Sequence, residues 1–385
     1  MSLNERLTQI QPNAIRAFDA QISDVADILK LTLGEPDFNV PTHIKQAAID
    51  SILADDSHYA PAAGTQALRE AAVHFLADRY NLQYDADSQV IVTLGATEGI
   101  YDTITAVVNP GDRVLIPAPN FPLYDPTVVL AGGVPTYVDT SATDFLLTPD
   151  QLQGAIDTYG DQLVAVVLNY PSNPTGATYT SEQLSALADV LRGTDITVIA
   201  DEIYSELVYD GQHTSIAQYL PDQTLVLNGV SKSHAMTGYR IGFVVGPTKL
   251  IRAVGLIHQF AVTSASNPAM AGAAEALGTE AGRQDTLAMK AEYAARRDYL
   301  VKALRELGFA IPQPAGAFYV FAQIPDELEQ DDVAFSLALA QEGKVAVIPG
   351  SAFGIGGAGY IRLSYAASLA DLQTAVARIA AFITD

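Results

Sequence analysis

Four short segments of this chain gather residue types that can do chemistry. In Gly229-Val230-Ser231-Lys232-Ser233-His234-Ala235-Met236-Thr237-Gly238-Tyr239-Arg240-Ile241-Gly242, a lysine and an arginine stand close together among small residues. Like charges side by side favour the neutral amine on the lysine, and a neutral amine can form a Schiff base. The bland alternative is a solvent-facing basic loop. In Asp201-Glu202-Ile203-Tyr204, a carboxylate follows the apolar run 197–200. Buried there, it needs a cation or a hydrogen-bond donor, unless it only caps a helix. Gly95-Ala96-Thr97 offers backbone N–H groups and a hydroxyl between a strand and a helix, which suits a phosphate or an ordinary turn. Asn169-Tyr170-Pro171-Ser172-Asn173-Pro174-Thr175-Gly176 presents Asn173 from a loop stiffened by two prolines. An asparagine bonding its own backbone in a turn would read the same way.

Hydrophobic periodicity supplies the elements that must position these segments. Residues 66–80 place Leu68, Ala71, Ala72, Phe75 and Leu76 on one helical face. Residues 90–94 read as a strand, and a helix opens at Gly95 and stops at Asn109-Pro110-Gly111-Asp112. Further strands are expected at 114–116, 163–168, 197–200 and 224–227. Thr148-Pro149-Asp150-Gln151 and Thr180-Ser181-Glu182-Gln183 have capping-box spacing, the first with proline at the opening helical position, and the second helix should end at Gly193. Strands alternating with helices imply right-handed crossovers and a mostly parallel sheet covered on both faces. Ligands of such α/β sheets bind beyond the carboxyl ends of the strands, where all four segments fall. After about residue 285 the pattern changes to a long polar helix, 287–307, and short strands at 317–322, 345–348 and 360–364. The expected division is an N-terminal arm with part of a small domain (1–44), a large domain (45–284) and a small C-terminal α/β domain (285–385).

Composition narrows the classes of function. A chain of 385 residues, 49% hydrophobic, can build a large core and two or three domains, which excludes disorder. With 44 acidic against 21 basic side chains, the net charge of −23 opposes a grip on nucleic acid or on anionic membranes. The absence of cysteine excludes disulfides, thiolate metal sites and a cysteine nucleophile. MSLNERLTQI lacks the apolar core of a secretory signal, and no apolar run reaches the ~18 residues of a membrane span. A cytoplasmic protein is therefore expected. The acidic cluster from Asp326 to Asp332 reads as a solvated loop. Gly354-Ile355-Gly356-Gly357-Ala358-Gly359 matches a dinucleotide fingerprint, but a strand follows it rather than a helix, so the phosphate geometry is missing. The six histidines show no ligand spacing, no metal is expected, and no GxSxG nucleophile elbow is present.

The Lys232 segment resembles the pyridoxal-phosphate attachment motif of the class I/II aminotransferases, fold type I. Gly229, Val230, Ser231, Lys232, Ala235, Met236, Gly238, Arg240, Ile241 and Gly242 all agree with it. The resemblance spans nearly the whole chain. Leu33-Gly34-Glu35-Pro36-Asp37-Phe38, Tyr59 before Gly64-Thr65, Asn173, Asp201 with Tyr204, and Arg362 in Ile361-Arg362-Leu363-Ser364 follow in the family's order. The wording around Lys232 is closest to a bacterial subgroup described as aromatic amino acid or N-acetyl-diaminopimelate aminotransferases.

That resemblance implies a fold with a mostly parallel, seven-stranded type of sheet, pyridoxal 5'-phosphate as cofactor, and ping-pong amino transfer between an L-amino acid and a 2-oxo acid. It implies that Lys232 bonds the cofactor as a Schiff base and then moves the substrate's Cα proton. Asp201 would pair with the pyridine nitrogen, and Tyr204 and Asn173 would bond the ring's phenolic oxygen. Gly95, Ala96, Thr97, Ser231 and Arg240 would take the phosphate, with Tyr59 reaching in from the partner of a homodimer. Phe121 would stack on the ring. Arg362 would clamp the substrate α-carboxylate through a planar fork, supported by Asn173 and the backbone of Gly34. Two departures stand out. Many relatives carry a phosphate-binding serine where this chain has Gly229, so Ser231 should take that duty. No second arginine for a side-chain carboxylate is obvious; Arg16 is a candidate, though a surface role suits it as well. The alternatives are a β-eliminating C–S lyase on the same frame and a non-catalytic regulator. A regulator would need an added DNA-binding segment, for which the chain leaves no room, and the acidic balance opposes it.

Overall fold

The computed structural model describes residues 3–384. Strand β1 (Leu29–Lys30) precedes β2 (Val90–Thr93), β3 (Arg113–Ala118), β4 (Val134–Asp139), β5 (Leu163–Asn169), β6 (Thr197–Asp201), β7 (Thr224–Gly229) and β8 (Gly242–Val245). The C-terminal part adds β9 (Tyr319–Gln323), β10 (Val345–Ala346), β11 (Ile348–Pro349) and β12 (Tyr360–Ser364). Seven strands form one sheet in the order β4-β3-β5-β6-β7-β8-β2. From β4 to β7 every pair is parallel, whereas β8 runs antiparallel to both β7 and β2. The physical reason lies in the connections. Helices Gly95–Val107, Tyr124–Ala131, Pro149–Tyr159 and Ser181–Leu191 carry the chain over the sheet, and parallel neighbours need such crossovers. Between β7 and β8 there is only the four-residue helix Val230–Ser233 and a turn, so the chain doubles back at the sheet's carboxyl edge.

Alternate residues of the central strands face opposite sides. Val166, Leu168, Val198, Ala200 and Val226 join one buried cluster, while Ala165, Val167, Ile199, Leu225 and Leu227 join the other. Both expected capping boxes form, at Thr148–Gln151 and Thr180–Gln183.

Several local expectations change. Helix Ser181–Leu191 ends before Gly193. The polar helix spans Glu280–Glu306, starting earlier because the Thr279 side chain accepts the Gly282 N–H. The run 345–348 splits, since β10 pairs parallel with the distant β1 while β11 joins β12 and β9 in an antiparallel sheet. The acidic cluster is not simply solvated. Asp331 caps helix Asp332–Gln341, and Asp332 is buried, accepting the Ser351 N–H at 2.7 Å.

Candidate active site

The carboxyl edge of the large sheet brings the four segments together. Asp201 ends β6, Asn169 ends β5, Lys232 follows β7, and Gly95 opens the helix after β2. Asp201, Asn169 and Lys232 face a cavity of about 480 Å³ that Ala96, Thr97, Phe121, Asn173, Tyr204, Ser231 and Arg240 also line. Gly34 and Arg362 enter it from the C-terminal sheet's side, and Arg16 from helix Ala14–Gln21.

Asp201 forms the floor and is only 3% exposed. The Tyr124 hydroxyl donates to its Oδ2 at 2.7 Å and the Ile203 N–H to its Oδ1 at 3.3 Å. Burial pushes this carboxyl up to about 6, against the pull of those two donors. The adjoining Glu202 is satisfied separately, by Tyr170 at 2.8 Å, Ser215 at 2.6 Å and His213 at 2.8 Å. Asn169 donates to the Asp201 carbonyl at 3.1 Å and accepts the Asn173 N–H at 2.9 Å, pinning the proline loop to the floor.

Lys232 donates to the Gly34 carbonyl. Its amine is lowered to about 8, chiefly by burial; Arg240 and Arg362 add to this, while Glu35 and Asp201 oppose it. The neighbouring arginine thus acts with the sign read from the sequence, but desolvation dominates.

Beside the lysine, the helix Gly95–Val107 begins with a left-handed residue, Gly95 at φ +75°, and a Cβ there would lie 2.6 Å from Arg240 Nη2. Arg240 is held by donating to the Thr237 carbonyl at 2.8 Å and the Leu94 carbonyl at 3.3 Å. The Gly229 departure has a steric cause. Gly229 and Gly242 are cross-strand partners, and a Cβ on Gly229 would come within 2.8 Å of Gly242 Cα. A Cβ on Gly242 would meet the Ala96 nitrogen at 2.5 Å. The helix N-terminus therefore rests directly on Gly242, with Gly229 packed behind it.

Arg362 is 2% exposed, with its guanidinium 4.5 Å from the Tyr319 ring centre and 4.9 Å from that of Phe353. It donates to Asn173 Oδ1 at 2.8 Å and to the Thr32 carbonyl at 2.6 Å, while its Nε is without a partner. Burial lowers its pKa, but a guanidinium remains charged in a protein. Among the described residues no carboxylate pairs with it.

An amine nearing neutrality, a buried carboxylate, open amides at a helix start and a buried cation fit pyridoxal 5'-phosphate and an amino acid. Residues 26–379 match the family described as Aminotransferase class I and II. This chain belongs to that family. It is 39% identical over 381 residues to the probable N-acetyl-LL-diaminopimelate aminotransferase of Bacillus subtilis, covering 99% of this chain and 95% of that protein. It is 35% identical to aromatic-amino-acid aminotransferase 2 of Thermococcus litoralis, with 98% and 97% of the two chains covered. The solved aspartate aminotransferase from Thermus thermophilus with maleate superposes with a TM-score of 0.94 at 35% identity, covering 99% of this chain and all of that one. The chain is an aminotransferase of fold type I with pyridoxal 5'-phosphate as cofactor, and nothing in these names supports a β-lyase.

Against the family pattern, the structure adds and relocates residues. Tyr124, the donor to Asp201, stands three residues after Phe121 at a helix start and carries no chemical signal of its own in the sequence. Tyr319, which shares a 2.8 Å hydroxyl–hydroxyl bond with Tyr204 and underlies Arg362, carried no signal beyond its strand. Gly34 meets Lys232 rather than Arg362, whose backbone acceptor is Thr32. Arg16 lines the cavity while remaining exposed. Tyr59 is 90% exposed and lies outside the cavity of its own chain.

Proposed function

We propose that the Lys232 cavity is where this aminotransferase binds its cofactor and transfers the amino group of a large L-amino acid to a 2-oxo acid. Gly95, Ala96, Thr97, Ser231 and Arg240 would hold the phosphate, and Phe121, Asn173, Tyr204 and Asp201 would surround the ring. When bound, pyridoxal phosphate supplies an electron sink for the pair left behind as the Cα proton departs. Lys232, poised near neutrality, takes that proton and returns it; Asp201 keeps the ring nitrogen protonated. Arg362 binds the α-carboxylate.

The observation that carries this reading is Arg362. A buried guanidinium is costly without a counter-charge, and this one lines the cavity that holds Lys232 with its Nε unbonded and no carboxylate paired to it among the described residues. A substrate carboxylate supplies the missing partner.

The side-chain end of the cavity supports a choice of donor. Ile15, Leu33 and Phe121 line it together with Arg16, whose guanidinium has no hydrogen-bond or ion-pair partner among the described residues. Apolar walls beside a free cation, with Asp19 and Glu35 also in the lining, suit an aromatic side chain, or a long one whose second carboxylate reaches Arg16, as in an N-acetyl-diaminopimelate-like donor. Aspartate is the competing donor, its side chain being too short to use those walls. The test is a half-reaction screen, adding single amino acids to cofactor-loaded protein and following the cofactor's absorbance. Aromatic and N-acylated diamino acids should convert it faster than aspartate. A spectrum unchanged by every donor would overturn the transamination reading, and pyruvate release from cystathionine without an acceptor would favour β-elimination.

Exposed Tyr59 (90%), Phe260 (82%) and Leu53 (75%) support a homodimer in which Tyr59 enters the partner's cavity. Sedimentation should give twice the chain mass of 40.8 kDa. No helix of the described residues is long and apolar enough to cross a membrane; a cytoplasmic location is part of the same proposal. The partition into arm, large domain and small domain at residues 44 and 284 belongs to the same proposal, supported by the separate buried cluster around Phe318 and Leu363.

A further inference from the structure

Behind the helix start that faces the cavity lies a buried cluster with no assigned role: Glu98 and Asp102 on helix Gly95–Val107, and His258 on helix Thr248–Ala261. His258 is fully buried, and its Nε2 lies 2.8 Å from the Ala62 carbonyl. A carbonyl only accepts, so Nε2 carries hydrogen. Its Nδ1 then faces Glu98 Oε1 at 2.9 Å and Asp102 Oδ2 at 3.8 Å. Two acceptors cannot meet at 2.9 Å unless a cation sits between them. A proton fits this spacing. Two ligand atoms sharing a tetrahedral zinc would stand about 3.3 Å apart at ordinary bond lengths.

The other Glu98 oxygen, Oε2, accepts the Leu94 N–H, while the Leu94 carbonyl accepts from Arg240 at 3.3 Å. The peptide just before Gly95-Ala96-Thr97 is thereby held from both sides. On the far side of His258, Ala62 belongs to the segment between Tyr59 and Gly64.

We propose that His258 is a positioning residue: protonated and bonded to Glu98, it fixes the Leu94 peptide and so aims the Gly95–Thr97 amides at the cofactor phosphate, while its bond to Ala62 ties that cradle to the segment carrying Tyr59. This rests on the reading that Gly95–Thr97 bind the phosphate. The titratable groups facing His258 are Glu98 and Asp102, both on the neighbouring helix; the 59–64 segment presents only the Ala62 carbonyl. Burial opposes the charge on His258, but the bond to Glu98 and the two carboxylates raise its pKa above 6.5. Asp102 has no hydrogen-bond partner on either oxygen, and burial pushes it up to about 7. A raised histidine confers its benefit below its unfolded pKa and loses it as pH rises through the folded value. Phosphate binding should therefore weaken on the alkaline side.

The test compares the affinity of cofactor-free protein for pyridoxal phosphate with that for pyridoxal, by absorbance titration from pH 6 to 9.5. The ratio of the two cancels the titration of Lys232 itself. Wild type should show the ratio falling with rising pH. His258→Ala should lower it about tenfold at pH 7 and flatten the profile. His258→Asn, whose amide can replace the Nδ1–H donor without titrating, should recover most of the ratio and remain flat. An unchanged ratio in His258→Ala, or an alkaline fall that persists in His258→Asn, would overturn the proposal. So would a wild-type ratio that drops on dialysis against chelator and returns with zinc. Arg240→Leu serves as the control: if it leaves the ratio unaltered, the phosphate reading fails, whereas a loss there with none in His258→Ala sinks only the positioning role.

Discussion

A cleft lined by His43 and the Lys232 cavity make an instructive pair. The cleft encloses about 980 Å³, twice the volume of the other, and is lined by His43, Glu275 and Asp285 among others. There His43 is satisfied by two carboxylates, bonding Glu275 through Nδ1 and Asp285 through Nε2, each at 2.7 Å. The smaller cavity leaves a buried arginine without a counter-charge and an amine lowered to about 8. Unspent electrostatic demand, and not volume, marks the place where a ligand is required, because a desolvated charge is costly until something pairs with it.

The contrast fails at once if the small cavity's charged groups prove dispensable. Lys232→Ala should cost more than about 10⁴-fold in turnover, since both covalent attachment and proton transfer are lost. Borohydride reduction of the loaded wild type should label the peptide holding Lys232, and the variant should stay unlabelled. In cofactor-free wild type, attachment should quicken about tenfold between pH 7 and pH 9 as an amine with a pKa near 8 loses its proton. Asp201→Ala should reduce kcat about 100–1000-fold with the cofactor still bound. Arg362→Ala should raise KM for amino acids about 10–100-fold, the loss expected for a charge-assisted fork, measured by steady-state kinetics.

Tyr124→Phe is a finer probe. It removes a donor that lowers the Asp201 pKa, so more of that carboxyl is protonated near neutrality. A rise of roughly one unit from about 6 should cut turnover about fivefold at pH 6 and hardly at all at pH 8, visible as an alkaline shift of the acid limb of the kcat profile. The smallest effect belongs to the large cleft. His43→Asn should leave kcat/KM unchanged. Burial lowers the His43 pKa, but bonds to Asp285 and Glu275 outweigh it and raise the value above 6.5. The stabilisation is present below 6.5 and disappears as pH rises through the raised value. Thermal unfolding should therefore show a Tm deficit at pH 6 that shrinks by pH 9.

How much was legible follows from what each residue depends on. Lys232, Asp201, Gly95 and Asn173 could be read because each lies within a few residues of a strand end, and strand ends are local signals. Their convergence needed only the rule that parallel sheets bind ligands at one edge. Tyr124 was harder, since a tyrosine at a helix start after β3 reveals nothing until β5 and β6 bring Asp201 beneath it. Tyr319 and Thr32 meet Arg362 only through packing of the C-terminal sheet and the N-terminal arm. The β1–β10 pairing is likewise invisible, joining segments more than 300 residues apart.

The chain's order of residues determined by itself the crossover pattern, the capping boxes, the exclusion of metal–thiolate and disulfide chemistry, and which lysine and carboxylate follow strand ends; Arg362 was marked only by the family resemblance. Only the tertiary structure decided the amine's pKa, because burial sets it more than any neighbour in sequence does. The tertiary structure also decided why position 229 is glycine, which the neighbouring strand crowds at Gly242 and Ile241, and why Arg362 lacks a carboxylate partner among the described residues. Local spacing fixes which groups are offered; desolvation and long-range contact fix what state those groups are in.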